Sequence, residues 1–274
     1  MKKIFFAFII TLFTFGFTQP TETITVKGSD TMVILAQRWA EAYMAKHPET
    51  VIQVTGGGSG TGISALINGT TDICNSSRPI KKSEREKLKQ RFNTLGVEIK
   101  GAKDGLAIYA NDANPIKELT LAQLKDIYTS KIMNWKDVGG PDAKIIMYGR
   151  ENSSGTYSYF KDNVLDGEDY ASSVQSMPGT AAVVNAVAKD KYGIGYGGAA
   201  YGKGIKFLKV KKDASSLGYE PTAENVKSND YPITRYLFMY TRSKPSGALK
   251  DFIDWTLSSE GQEIVTKVGY FSVK

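Results

Sequence analysis

The stretch TVIQVTGGGSGTGISALIN, Thr50–Asn68, decides the fold of this chain. Its opening residues, TVIQVT, are rich in β-branched side chains, which is typical of a buried strand. Glycines then mark a tight turn, and Ile63, Leu66 and Ile67 recur at helical spacing on one face. A strand, a glycine turn and a helix in this order predict one unit of an α/β fold with parallel strands.

The glycine segment GGGSGTGI, Gly56–Ile63, fails the tests for two well-known motifs. A nucleotide P-loop needs a lysine after its last glycine, and none follows Gly62. The serine elbow of hydrolases needs a glycine two residues on each side of the serine, but Thr61 stands there after Ser59. A flexible linker is a further alternative, although a well-patterned helix follows at once. A helix start with unpaired N–H groups, partial positive charge and hydroxyl donors would instead bind an oxyanion.

Glycine and hydroxyl residues recur at two further helix starts. GSDT, Gly28–Thr31, lies between the first predicted strand and helix, and SGT recurs at Ser154–Thr156, where a helix containing YSYF begins. A hydroxyl residue at one helix start would be ordinary capping. The same tripeptide SGT at a helix start in each of the two predicted lobes indicates donors that converge on one anion from both sides of a cleft. The candidate residues of these turns are Ser29, Asp30, Thr31, Ser59, Gly60, Thr61, Ser153, Ser154, Gly155 and Thr156.

Two arginines lie close to such turns. Arg150 precedes Ser154 by four residues at the end of the predicted strand KIIMYG, and Arg78 follows Ser77 at the end of DICNSS. A guanidinium group matches a tetrahedral oxyanion through two parallel hydrogen bonds. We therefore expect Arg150 to contact the anion, whereas Arg78 and Ser77 fit an anion contact and a structural ion pair equally well.

Strand and helix patterns alternate along most of the chain and predict an α/β protein with two lobes. The strongest later strands, GLAIYAND (105–112) and YPITRYLFMYT (231–241), are placed so that the chain would cross twice between the lobes. We expect a signal peptide at 1–18, a discontinuous lobe I at 19–108 and 236–274, and lobe II at 109–235. The cleft between such lobes is a natural ligand site.

The first residues and the charge favour an exported protein that binds a small ligand. MKK, the apolar run IFFAFIITLFTFGF and small residues near Thr18 are typical of a secretory signal peptide. The run is shorter than the roughly 20 residues that span a membrane, and no cysteine follows it to carry a lipid. The net charge of +7 suits either attraction of anions or general solubility. No basic block with interleaved aromatic residues indicates nucleic acid.

Residues for catalysis or for a resident metal are not grouped in the sequence. A single cysteine, Cys74, excludes an internal disulfide and a cysteine-rich metal site. A Ser-His-Asp triad could use only His47, next to Pro48 at a helix end. We expect a protein that is not an enzyme and has no cofactor or metal. An exported phosphatase or esterase using Ser59 or Ser154 stays an alternative, as does an adhesion or scaffold protein without a small ligand.

Together these motifs resemble the phosphate-binding proteins of ABC-type phosphate importers, the PstS family. The likeness runs in order through nearly all of the chain after the signal-like segment. It implies a type II periplasmic binding fold whose lobes close over one phosphate, and delivery of phosphate to membrane permease components. We expect a periplasmic monomer without a nucleic-acid partner. The matching segments are VKGSDTM, GGGSGTGISALINGTTDICNSSRPIK, LAQLKDIYTSKIMNWKDVGG, YGRENSSGTYSYF and FIDWTLSSEGQEIVTKVGY.

The resemblance implies anion contacts from all three turns and from Arg150, and it also exposes a departure. Family members often separate phosphate from sulfate with an aspartate that accepts the proton of phosphate, where this chain has Ser77 and Arg78. A carboxylate only accepts hydrogen bonds, so it repels a fully deprotonated anion. We expect Asp30 either to take this role or to cap the first helix. Sulfate and molybdate remain alternative ligands.

Overall fold

The computed structural model describes residues 22–274, and the predicted signal peptide at 1–18 lies outside them. Helices flank a curled sheet. The strands are β1 (Glu22–Gly28), β2 (Thr50–Thr55), β3 (Ile73–Ser76), β4 (Val97–Ala110), β5 (Glu118–Thr120), β6 (Ile146–Arg150), β7 (Gln175–Met177), β8 (Gly193–Gly198), β9 (Lys206–Lys211) and β10 (Thr234–Thr241). The α-helices are α1 (Val33–Met44), α2 (Ser59–Asn68), α3 (Lys82–Phe92), α4 (Leu121–Tyr128), α5 (Gly155–Asn163), α6 (Thr180–Lys189), α7 (Ala223–Ser228), α8 (Gly247–Thr256) and α9 (Ser259–Val268).

Lobe I is built on the parallel strands β2, β1 and β3. The apolar faces of α1, α8 and α9 cover them, and Trp39, Ile73, Met239 and Phe252 are buried in the shared core. The indole N–H of Trp39 donates to the carbonyl of Gly261, 2.8 Å away, so α1 and α9 are joined by a buried hydrogen bond as well as by apolar contact.

Lobe II is built on the parallel strands β8, β6 and β7, with β5 and β9 forming a second parallel pair. Its core is strongly aromatic. The rings of Phe160 and Tyr196 stack at 4.0 Å between centroids, and Tyr128 meets both rings edge-on. This packing fixes α5, which carries Phe160, against the sheet.

The two lobes are joined by β4 and β10, which cross between them. Residues 97–105 of β4 pair antiparallel with β10, and residues 106–110 then pair antiparallel with β8. The exchange of partners after Gly105 places one end of β4 in each lobe. The predicted fold of two α/β lobes connected by two crossing strands is confirmed. No helix within residues 22–274 is long and apolar enough to cross a membrane.

Helix α2 lies unusually close to β1, and Gly62 allows it. A Cβ atom at Gly62 would lie 2.5 Å from Gly28 Cα and 2.6 Å from the carbonyl oxygen of Lys27. Both contacts are with backbone, which cannot rotate out of the way. The same close packing brings the start of α2 beside the turn that follows β1.

We predict that Gly62→Ala separates α2 from β1 and lowers the free energy of unfolding by about 1–3 kcal/mol, the usual cost of overpacking. Urea titration would measure the loss. Ser64→Ala, on the exposed face of the same helix, is the control and should leave the midpoint nearly unchanged. Equal midpoints for the Gly62 variant and the wild type would contradict the close packing.

Candidate anion-binding site

Four buried hydroxyl groups from four separate segments meet between the lobes. Thr31 Oγ1 lies 2.9 Å from Thr156 Oγ1, and Ser77 Oγ lies 3.5 Å from Thr156 Oγ1 and 3.4 Å from Ser59 Oγ. All four residues are at most 1% exposed. Thr156 belongs to lobe II and the other three to lobe I. We call this group the hydroxyl cluster, and each of its members can donate one hydrogen bond and accept others.

Two helix starts contribute backbone donors beside the hydroxyl cluster. Helices α2 and α5 begin at Ser59 and Gly155, and the amides of these two residues find no acceptor in the described part of the chain. Free amides and the helix dipole together favour an anion at such a place. The Ser154 hydroxyl caps its own helix by accepting from the amides of Thr156 and Tyr157. Ser154 therefore shapes the start of α5.

The two glycine turns contact each other across the cleft. The amide of Gly60 donates to the carbonyl of Ser153 over 2.8 Å. A Cβ at Gly58, whose φ is +91°, would lie 2.6 Å from the same carbonyl oxygen, and a Cβ at Gly155 would lie 2.2 Å from Ser59 Oγ. Only glycine at these positions lets the lobes approach this closely.

Arg150 ends β6 and is almost fully buried at the edge of the cleft. Its guanidinium donates through Nε and Nη2 to Glu151, through Nη2 to Asp30 and through Nη1 to Thr180, over 2.8–3.0 Å. Arginine has five N–H groups, so one on Nη1 has no acceptor among residues 22–274. Two carboxylates face this one guanidinium, so the group is formally negative by one charge.

Asp30 links the lobes. Its Oδ2 accepts from Arg150 and its Oδ1 accepts from the amide of Gly57 over 2.9 Å. The alternative that Asp30 caps the first helix is wrong, because Met32 occupies the cap position of α1 and Ser29 that of the 3-10 turn Asp30–Met32 before it, and no side-chain cap bond forms at either. The carboxylate of Asp30 instead spans the cleft.

Two tyrosines hold the turn that carries Asp30 and Thr31. Tyr201 donates to the carbonyl of Asp30 and Tyr270 donates to the carbonyl of Thr31, each over 2.6 Å. Burial and then the charge of Asp30 raise the pKa of Tyr201 to about 12, so its hydroxyl stays a donor at neutral pH. Because Tyr201 belongs to lobe II, its hydrogen bond also joins the lobes.

The structure does not bring Arg78 to the hydroxyl cluster. Its guanidinium forms a two-pronged ion pair with Glu84 at 2.7 and 2.9 Å and donates to the carbonyl of Pro79. Burial alone would raise the pKa of Glu84, but hydrogen bonds and charge from Arg78 outweigh it and hold the pKa below its usual value. Of the two readings of Arg78, this geometry favours the structural ion pair.

Among the other candidates, Ser29 is buried but its side chain makes no hydrogen bond within the described residues, and the Thr61 hydroxyl likewise has no partner there. Sequence reasoning missed the side chains that orient the site: Glu151, Thr180, Tyr201 and Tyr270. Glu151 has a signal, because it adjoins Arg150 in sequence. The other three reach the site only through the tertiary fold.

Among residues 22–274, no histidine, reactive thiol or cluster of metal ligands lies at this site. His47 stacks on Tyr43 at the end of α1 with ring centroids 4.1 Å apart. Burial raises the pKa of the Cys74 thiol far above its usual value, so it stays protonated. Residues 22–274 contain no grouping of three or more histidine, cysteine, aspartate or glutamate side chains that could hold a metal. What the site does offer is hydrogen-bond donors, from the hydroxyl cluster and from the two helix starts.

Comparison with known proteins agrees with this geometry. Residues 16–260 match the model of the PBP superfamily domain. The phosphate-binding protein PstS of Pseudomonas aeruginosa is 34% identical over 260 residues, which cover 89% of this chain and 80% of that protein. This chain belongs to the PstS family. The PstS protein of Bacillus subtilis, also 34% identical, shares 258 residues that cover 92% of this chain and 81% of that protein.

Solved structures of similar proteins share the fold. A phosphate ABC transporter substrate-binding protein from Clostridium perfringens, solved with bound phosphate, has a TM-score of 0.84 and 32% identity over 92% of this chain and 100% of that chain. An ABC-type phosphate transport receptor from Vibrio cholerae has a TM-score of 0.73 and 31% identity over 90% of this chain and 99% of that chain. The predicted type II periplasmic binding fold is confirmed.

The ion pair at Arg150 predicts a dependence of stability on pH. Burial alone would raise the pKa of Glu151, but hydrogen bonds and charge from Arg150 outweigh it and hold the pKa below the ordinary value of 4.5. A carboxyl group whose pKa is lower in the folded state stabilises that state fully at a pH above its pKa in the unfolded chain. This contribution disappears as the pH falls through the pKa of the group in the folded state. Wild type should thus exceed Glu151→Gln in stability at neutral pH, with the difference shrinking below about pH 4.5.

Urea midpoints measured at a series of pH values would test this dependence. Glu86→Gln, on the exposed face of α3, is the matched control and should differ little from wild type at any pH. A difference between wild type and Glu151→Gln that stays constant as the pH is lowered would contradict the pairing.

Proposed function

We propose that this protein captures inorganic phosphate between its lobes and delivers it to the permease components of an ABC importer. The observation that carries the proposal is the hydroxyl cluster, where donors of both lobes meet beside two free helix-start amides. Such donors replace the water shell of a small tetrahedral anion. The relatives named phosphate-binding proteins, and the Clostridium perfringens structure with bound phosphate, support phosphate as that anion.

In this proposal the anion is held mainly by neutral donors. Thr31, Ser59, Ser77 and Thr156 donate through their hydroxyls, Gly155 donates through its amide, and Arg150 donates through its remaining N–H. Asp30 orients Arg150 and supplies an acceptor for the proton of hydrogen phosphate at the edge of the site. Arg78 is left out because Glu84 occupies its guanidinium.

Entry of the anion requires the lobes to part, because the hydroxyl cluster is buried between them. We propose the predicted boundaries, 108/109 and 235/236, as hinge positions within the crossing strands. Closure is then a rotation about β4 and β10, stabilised by an anion that touches both lobes. The protein acts outside the cytoplasmic membrane after export, as the resemblance of its first residues to a signal peptide indicates.

Calorimetry with phosphate, sulfate and molybdate is the direct test, and a matched pair of variants tests the origin of selectivity. Ser77→Asp adds an acceptor-only group to the hydroxyl cluster, whereas Ser77→Asn has the same shape without the charge. Relative to the asparagine variant, the aspartate variant should lose about tenfold or more in sulfate affinity, because sulfate has no proton to donate. The affinity for phosphate should fall clearly less between the same two variants.

Other outcomes would contradict the proposal. A wild-type protein that binds sulfate or molybdate but not phosphate would favour the other oxyanion receptors. Turnover of a chromogenic phosphate ester that Ser59→Ala abolishes would favour a hydrolase. An unchanged ratio of phosphate to sulfate affinity between the two Ser77 variants would show that this position does not face the anion.

Close approach of the lobes predicts that Gly58→Ala impairs binding more than stability. The new Cβ would lie 2.6 Å from the Ser153 carbonyl oxygen of the opposite lobe, so it opposes closure. Gly179 has nearly the same backbone conformation as Gly58, with φ of 84° and ψ of 162° against 91° and 155°, and nothing lies within 4 Å of its Cβ position. Gly179→Ala is therefore a matched control for backbone strain alone, and both variants should lose about 1–3 kcal/mol of stability, the usual cost of a side chain in this region.

Only the Gly58 variant should lose phosphate affinity, by about tenfold or more, because the closed state becomes less populated. Calorimetry and urea titration of the two variants would separate the effects. Equal affinities for the Gly58 and Gly179 variants would contradict closure of the glycine turn onto Ser153.

A further inference from the structure

An ion pair without solvent contact lies where the two crossing strands meet, outside the hydroxyl cluster. Asp104 of β4 and Arg235 of β10 face each other in the sheet, and their side chains are 0% and 1% exposed. Arg235 donates through Nε and Nη2 to Asp104 Oδ2 at 3.0 and 2.9 Å. Such a pair loses the hydration of both charges, so it adds less to stability than well-packed apolar side chains would. Its value to the protein must then lie elsewhere.

The remaining arm of Arg235 reaches a residue of the proposed site. Nη1 donates to the carbonyl of Ser77 over 3.1 Å. The amide of Ser77 donates to Ser59 Oγ over 3.0 Å, so the same residue is held from both ends. Arg235 does not itself enter the hydroxyl cluster. It fixes the backbone from which the Ser77 hydroxyl projects.

The ion pair also touches lobe II. The Arg235 guanidinium lies over the ring of Tyr159 on α5, 5.4 Å from its centroid, and the Tyr159 hydroxyl donates to the carbonyl of Thr234 over 2.6 Å. The other oxygen of Asp104 accepts from the amide of Ala199 over 3.1 Å. Ala199 begins the short 3-10 helix that carries Tyr201 to Asp30. The pair is therefore in contact with both sides of the cleft.

We propose that Arg235, held by Asp104, is a positioning residue for the anion site. It fixes the Ser77 backbone to the crossing strands. Through its contact with Tyr159 it also sets the position of this backbone relative to the start of α5. The spacing between the Ser77 and Thr156 hydroxyls then depends on a pair that no ligand touches. The effect on ligand affinity rests on the proposed function, whereas the effect on the Ser77 backbone does not.

The variants must avoid leaving one charge buried alone, which destabilises a protein strongly. Asp104→Asn/Arg235→Gln removes both charges together. Arg235→Lys keeps the charge, but a single ammonium cannot reproduce the fork to Asp104 and also reach Ser77. Arg85→Gln/Glu98→Gln is the matched control, because it neutralises another ion pair that includes a β4 residue.

The first readout needs no ligand. Native-state hydrogen exchange should show the Ser77 amide of the neutral double variant exchanging about tenfold or more faster than in wild type, with the control double variant unchanged. The urea midpoint, measured in parallel, reveals any general loss of stability. Equal protection of Ser77 in wild type and in the neutral double variant would overturn the inference, whatever the protein binds.

The second readout is phosphate affinity in a mutant cycle. The neutral double variant should bind phosphate about tenfold or more weakly, and Arg235→Lys should recover part of the loss. In a Ser77→Ala background the same change should have clearly less effect, because Arg235 acts through Ser77. A purely structural pair would lower the urea midpoint and leave the affinity of the folded protein unchanged, which would also overturn the inference. Wild type that fails to bind phosphate would refute the proposed function alone, since the exchange experiment still decides the role of Arg235.

Discussion

The structure depends on donors at helix starts for which residues 22–274 supply no acceptor. A buried N–H or O–H group that finds no acceptor destabilises the folded state. Here the amides of Ser59 and Gly155 lie beside the hydroxyl cluster, and the glycine turns let both helix starts approach without a clash. An anion between the lobes would satisfy all of these groups at once. Closure and ligand binding are therefore the same event in physical terms.

The two arginines around this place are paired with carboxylates. Arg150 faces Asp30 and Glu151, and Arg235 faces Asp104, so neither guanidinium is left as a free positive charge in the cleft. Recognition then rests on the direction and number of donors rather than on net attraction. Hydrogen bonds in a place without water are screened little by salt, whereas the overall positive charge of the chain acts at long range and only on the rate of encounter.

The alternation of strands and helices could be predicted from sequence because the spacing of apolar residues is regular over long runs. The hydroxyl turns could also be predicted, because SGT occurs at two helix starts. Other features leave little local signal. Strands β3, β5 and β7 are three or four residues long, and the first half of β4 contains charged residues that hide its pattern. The Arg78 side chain turns toward Glu84, a pairing that depends on how α3 begins. Arg235 did have a signal, since it is a charge within the apolar run YPITRYLFMYT, whereas its partner Asp104 stands among other charged residues of β4.

Release of the ligand follows from the same geometry as its capture. In the proposed site, lobe I contributes Thr31, Ser59 and Ser77, while lobe II contributes Thr156, the Gly155 amide and Arg150, so neither lobe alone offers a complete shell. When the lobes part, an anion held in this way would lose roughly half of its donors, and water would replace them. A partner surface that binds the open protein more tightly than the closed protein would weaken anion binding. The loss in anion-binding free energy would equal the difference between the partner's binding free energies for the two states. Division of the donors between two rigid bodies thus makes a tight site reversible without any change in the chemistry of its residues.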